Sequence, residues 1–463
     1  MIRFFQSKIQ FPKASKEVLS FFAFLITSSY VNFLLCETIY FFPLHSADHL
    51  YNPLLIKDLR LGNGIGHWYF PPSPYFFPDG VLVFLLSFFL PFLYLPTGFG
   101  VFQMALVYMG MYLVFKRVLT FKHTLAFLIF FQILITTFSL LGYFLNDTPL
   151  PFVYFFSNAH HSTGFFFSLF LVSLYVSSKK NEDRKTSAFD TKHRFHFVFP
   201  LILYGIGFAL LYLSDRYSFW IGFFCFLLIR RYQKKETVWK EIRTNKGIIL
   251  FSSFLLFLIL LELTFYWMKT KLQIPNSFFL LHHSLSTKTG SEILYLSTTY
   301  LYDFGKQIFF QNHTLFLLIL LSSLTFSQFP SRIRRLLFVL IPVLLILLVI
   351  VGRFTYLHPF PIRYLFPLWF FCFLGITFAF LNHRKQIPNW IGFLCLLFCM
   401  VSLSILPKGR TQIKERISRE TKPQVSYTWE KPIRFWTEGK ETPIPVDASG
   451  KPYHWITGAF HTP

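Results

Sequence analysis

Apolar runs of roughly 17 to 25 residues recur along this chain, each long enough to cross the hydrocarbon core of a bilayer. They extend from Val18 to Phe42, Phe99 to Phe115, Thr124 to Leu145, Gly164 to Val176 with a backward extension, His196 to Leu213 and Ser218 to Ile229. Further runs cover Gly247 to Met268, Thr314 to Phe329, Leu336 to Gly352, Ile362 to Leu381 and Asn389 to Leu406. The pattern implies about eleven crossings. Hydrocarbon offers a backbone neither donor nor acceptor, so each run must close its hydrogen bonds within itself as a helix. The expected fold class is therefore an all-α polytopic membrane protein. Composition points the same way: of 463 residues 54% are hydrophobic, 66 are Phe and only 14% are charged, which no water-soluble domain of this length needs.

The formal charge of +23 would suit a nucleic acid, but its distribution argues for a membrane and no nucleic-acid partner. Lys116 to Lys122, Lys179 to Arg194, Arg230 to Lys246, Arg332 to Arg335, and Arg384 with Lys385 are short basic loops of the kind retained in the cytoplasm. Residues 1–17 join them on that side, and the first run, which lacks a small-residue cleavage site, reads as an uncleaved anchor. Residues 18–406 form the transmembrane domain. Parity then leaves one stretch too many, Val81 to Leu95 within the first outer loop (43–97). Its length, about fifteen residues, is short for a crossing and suits a helix lying along the outer surface. Residues 407–463, with Trp429, Trp436, Trp455 and a turn at Asp447 to Gly450, are expected to form a small folded extracytoplasmic cap. The five cysteines all fall inside apolar runs and read as packing residues.

This topology brings scarce ionisable side chains to the outer side, where they carry whatever chemistry exists. Asp48 opens the first outer loop, with Asp58 behind it. Arg353, Arg363 and Tyr364 flank a short outer segment, and two guanidinium groups at a membrane surface make a good fork for a phosphate. The ordinary reading of such arginines is snorkelling toward headgroups. Glu262 lies inside an apolar run, where an unpaired carboxylate would cost several kcal/mol, so it needs a partner such as Arg216, Arg353 or Arg363. His160 with His161, and His282 with His283, are adjacent pairs that point in different directions, which does not make a metal site. One of them acting as acid, base or phosphate donor fits imidazole chemistry. Most loop side chains simply meet water or cap helices.

At Asp48, the Pro71, Pro72, Ser73, Pro74 segment, the surface helix after it and the Arg363, Tyr364, Pro367 run, the chain resembles the GT-C glycosyltransferases. The resemblance covers about 380 residues and is one of layout more than of exact motif. That superfamily includes protein O-mannosyltransferases, lipid A aminoarabinose transferases and oligosaccharyltransferases. The resemblance implies a polyprenyl-phosphate-linked sugar as donor and a glycan, lipid or protein as acceptor, joined on the outer face of a bacterial inner or plasma membrane. It implies Asp48, with Asp58 in reserve, as general base while the anomeric carbon inverts. Many members carry a second acidic residue where this chain reads Asn158, Ala159, His160, His161, Ser162, Thr163, Gly164. The histidine pair removes a hard oxygen ligand from the place where a divalent metal would need one. No sequence motif for a cofactor is present.

Two other functions fit the same composition. A polymerase or ligase of lipid-linked polysaccharide would depend on Arg363 and His283 rather than on Asp48. A transporter or flippase of lipid-linked or anionic solutes would show paired halves and charges deep in the bilayer, whereas nearly all the charges here sit at one face, Glu262 excepted.

Overall fold

Backbone groups that cannot reach water bond to each other, and the computed structural model is correspondingly helical. It describes residues 13–116, 119–147, 150–182, 204–234, 245–356, 362–382, 399, 401–406, 409–447 and 449–453. The basic loops 183–194 and 235–244 and the run at 389–398 lie outside the described residues. Six helices are long and apolar enough to cross a membrane, Lys16–Glu37, Phe92–Phe115, Phe121–Phe144, Ser252–Lys271, Ser331–Thr355 and Ile362–Asn382. A bent pair, Gly290–Gln311 with His313–Gln328 at 98°, makes up to seven. The chain is an all-α multi-pass membrane protein.

The first helix, α1, spans Lys13–Glu37. The first loop then folds into α2 (Tyr51–Arg60) and α3 (Val81–Leu86), and α4 (Leu95–Phe115) returns along α1. The stretch expected as one surface helix from Val81 to Leu95 is not continuous. Its helix stops at Leu86, and a single turn, Phe92–Tyr94, follows Pro91 into α4, because proline cannot supply the backbone donor that continuation requires.

Helix α5 is Phe121–Phe144, started by the Thr120 hydroxyl accepting from the His123 N–H. Next come α6 (Ser162–Glu182), α7 (Tyr204–Ser214), α8 (Arg216–Lys234) and α9 (Asn245–Lys271). After α9 come α10 (Ser277–Ser286) and α11 (Gly290–Gln311). A capping box of Thr289 and Glu292 starts α11. Asp147 caps α12 (His313–Thr325), accepting from the N–H groups of His313 and Thr314 at 2.9 Å each. Helix α13 (Ser331–Leu348) ends in a widened turn, Val349–Thr355, and α14 is Phe366–Asn382.

The core is aromatic. Phe155, Phe165 and Phe166 of the second loop and α6 meet Phe366 and Phe370 of α14 mostly edge to face, the geometry ring quadrupoles prefer. Helix α14 is the interior one, with 78% of its apolar window buried against 11% for that of α9.

The tail folds back on the first loop. It contains α15 (Gly409–Glu420), β1 (Gln424–Ser426), α16 (Tyr427–Trp436) and β2 (Ile444–Val446), the two strands pairing in parallel with Val425 opposite Pro445. Ile413, Ile417, Ile433 and Phe435 of the tail share one apolar cluster with Phe41, Tyr51, Leu54 and Trp68 of the loop. Two arginines fix the dock. Arg410 grips both oxygens of Glu37 at 2.7 and 2.8 Å, and Arg434 grips both oxygens of Asp58 at 3.0 and 2.8 Å. The Arg410 pair, made through Nε and Nη2, is two-pronged and specifies geometry as well as charge, whereas Arg434 meets Asp58 through Nη2 and Glu430 through Nη1.

Candidate active site

Asp48 sits in the single turn Ala47–Leu50. Its half-buried carboxylate accepts from the Tyr427 hydroxyl of the tail at 3.4 Å. Lys431, one helical turn further along α16, is buried and also senses the Asp48 charge. Burial pushes the Lys431 ammonium down from its usual value, and Glu430 and then Asp48 oppose that push. The tail thus forms one wall around this carboxylate.

Arg363 forms another. It lies in the turn Ile362–Leu365 that leads into α14, and its guanidinium is within electrostatic reach of Tyr364, Tyr75, Asp48 and Tyr154. Nη1 donates to His160 Nδ1 at 3.4 Å and Nη2 to the Tyr364 hydroxyl at 3.3 Å. A guanidinium only donates, so His160 Nδ1 must accept and the neutral ring carries its proton on Nε2. That Nε2 is buried without a hydrogen-bond partner. The His49 ring stands 4.4 Å from the His160 ring, and its Nε2 is likewise unpartnered. Burial keeps both imidazoles neutral. His49 is lowered to about 4, with Asp48 opposing and Arg363 assisting, and His160 is pushed well below the usual range by burial, His49 and Arg363. Unsatisfied buried polar atoms cost about 1–3 kcal/mol each, so a polar ligand beside them recovers free energy.

A third group lies on the other flank of Arg363. Asp215, buried at the corner between α7 and α8, holds His161 Nδ1 at 2.7 Å, and His161 Nε2 meets the Tyr75 hydroxyl at 3.1 Å. Tyr75, Ala159 and His161 all carry left-handed backbone, with φ of 52°, 57° and 69°. Such torsions cost on the order of 1–3 kcal/mol each outside glycine and concentrate at working sites. Asp79 ties the strained segments together, its Oδ1 accepting from the Ala159 N–H at 2.9 Å and the Thr163 hydroxyl at 2.8 Å.

The remaining sequence candidates go elsewhere. Asp58 is committed to Arg434 and to the Trp68 indole at 3.1 Å, which leaves it structural. Glu262 finds Arg216 at 2.6 Å and the Tyr212 hydroxyl at 2.7 Å. Among the described residues, no hydrogen bond or ion pair joins that pair to Asp48 or Arg363. Arg353 is half-buried, and buried Tyr300 lies within electrostatic reach of both Arg353 and Tyr364. His282 and His283 are exposed on α10, where His283 stacks near Phe279. Among the described residues no three His, Cys, Asp or Glu side chains gather to hold a metal ion.

Sequence reading missed Tyr75 and Asp215 as partners of His161, Asp79 as the anchor of the neighbouring Ala159 and Thr163, and Tyr427 and Lys431 as neighbours of Asp48. The Pro-rich approach to Tyr75 was the one available signal, since it marks chain that cannot be regular helix. Compared with protein-family models, with curated proteins and with solved structures, the chain matches none.

Proposed function

We propose that this protein is a GT-C-like membrane glycosyltransferase that moves a sugar from a polyprenyl-phosphate donor to a hydroxyl or amine of a lipid, glycan or protein acceptor on the extracytoplasmic face. The supporting observation is that Asp48 and Arg363, distant in sequence, lie within electrostatic reach of each other beside His49 and His160, whose buried Nε2 atoms have no hydrogen-bond partner. In this reading the donor phosphate lies against Arg363, Tyr364 and the Nε2–H of His160. Asp48 takes the acceptor's proton as the acceptor atom attacks the anomeric carbon. The bond to the lipid phosphate breaks with inversion, and the phosphate departs with the electron pair toward the guanidinium.

Asp48→Asn keeps the side-chain volume and removes the base. Transfer from a polyprenyl-phosphate sugar should fall about 10²-fold or more while donor binding persists. Full activity in that variant would exclude Asp48 as the base. The two unpartnered imidazole Nε2 atoms favour one further reading, an outer-face ligase or polymerase that relies on Arg and His. In that case Asp48→Asn would remain active while Arg363→Ala and His160→Ala would not.

A further inference from the structure

We infer that Asp215, His161 and Tyr75 form a hydrogen-bond switch that completes an anion site at Arg363. When a phosphate group enters, His161 takes up one proton and Tyr75 turns its hydroxyl toward a phosphate oxygen. The inference rests on the phosphate-site reading of Arg363 but is independent of any sugar.

The geometry fixes the polarity of the first link. Asp215 Oδ1 lies 2.7 Å from His161 Nδ1, and Asp215 also accepts from the Ser218 hydroxyl, so Nδ1 carries a hydrogen in either charge state of the ring. The second link, His161 Nε2 to Tyr75 at 3.1 Å, can run either way. With neutral His161, Nε2 accepts and the Tyr75 hydrogen points inward. With His161 protonated, Nε2–H donates to the phenol oxygen and the phenol hydrogen is released to another acceptor. The proton comes from water and rests on Nε2. No heavy atom needs to move.

The exit of this chain faces Arg363. The Tyr364 ring, whose hydroxyl accepts from Arg363, is 5.6 Å from the His161 ring. The Tyr217 ring lies 4.8 Å from the His161 ring, tilted to it, and the Tyr217 hydroxyl donates to the Tyr364 carbonyl. His160, the neighbour of His161 in the chain, contacts Arg363 directly. The surroundings hold the switch in register. Gly80 N–H donates to the Tyr75 carbonyl at 2.9 Å. At Gly164 a β-carbon would stand 2.6 Å from Asp215 Oδ2, so the residue must be glycine for the carboxylate to reach His161. A purely structural Asp–His–Tyr chain would need neither left-handed backbone at both Tyr75 and His161 nor an outlet beside a guanidinium.

The test is calorimetric titration of the detergent-solubilised full chain with farnesyl phosphate and, separately, inorganic phosphate. Buffers of different ionisation enthalpy count the protons exchanged. Wild type should take up a proton as farnesyl phosphate binds. Tyr75→Phe, which keeps the ring, should bind about tenfold or more weakly and lose the uptake, and Asp215→Asn should lose the uptake as well. Arg363, Asp48, Asp79, His49, His160, Tyr154, Tyr217 and Tyr364, the other charged and titratable groups facing the site, remain in Tyr75→Phe. Proton uptake that survives in Tyr75→Phe does not depend on the Tyr75 hydroxyl and overturns the switch. Loss of binding in Arg363→Ala with unchanged affinity and uptake in Tyr75→Phe also overturns it, while leaving the anion site standing. Absence of binding by wild type overturns both. Equal binding of inorganic phosphate with the same uptake supports the switch and identifies its ligand as free phosphate rather than a lipid.

Discussion

Asp79 has one oxygen held by the Ala159 N–H and the Thr163 hydroxyl and the other buried without a partner. Burial pushes its carboxyl up to about 7 against those two hydrogen bonds, and Asp215 adds to the rise. A carboxyl whose folded pKa is raised binds its proton more tightly in the folded state, so its stabilising effect is full below the unfolded value and fades as pH rises toward 7. Between those limits the loss runs at about 1.4 kcal/mol per pH unit. Asp79→Asn imitates the protonated form, so its melting temperature relative to wild type should rise from pH 5 to pH 8; a constant difference would refute the raised value. Gly164→Ala places a methyl against Asp215 and Ser218 and should cost about 1–3 kcal/mol, measurable as reduced thermal stability. At this scale the sequence was partly legible. Asp48 and Arg363 stood out because they are charges at the ends of apolar runs, whereas Tyr75 and Asp79 lie in a proline-rich approach without periodicity to orient a side chain.

The tail is the element whose role differs most from its appearance in sequence. Its basic α15 looks like a solvated helix, yet Arg410 reaches Glu37 across 373 positions and Arg434 reaches Asp58 across 376. Pairing over such separations leaves no local signal, which is why Asp58 resembled a reserve base instead of an anchor. Without Asp58, Arg434 keeps only Glu430, at 3.1 Å, and loss of one partner from a buried charge cluster costs up to about 3–5 kcal/mol. Asp58→Ala should therefore loosen the tail, detected as faster limited proteolysis within residues 409–436. Equal proteolysis of wild type and Asp58→Ala would show that the fork does not hold the tail. Because α16 carries Tyr427 against Asp48, loosening the tail should also lower activity with Asp48 intact.

In the molecule as a whole, hydropathy identified the all-helical membrane class because hydrocarbon permits little else. It did not fix the number of crossings. Six helices, or up to seven with the bent pair, meet the length and composition of a span among the described residues, while several of the expected eleven are shorter helices or extend beyond those residues. The site depends on long-range closure: the first loop supplies Asp48 and Tyr75, the second His160 and His161, the turn before α14 Arg363, and the tail Tyr427. The most direct test of that closure is a double-mutant cycle on transfer from a polyprenyl-phosphate sugar with Asp48→Asn and Arg363→Ala. Groups serving one transition state are strongly non-additive. Each single variant should lose about 10²-fold or more in kcat/KM, with the double variant little worse than the poorer single. Losses that multiply independently, or a single variant with full activity, would contradict a shared site.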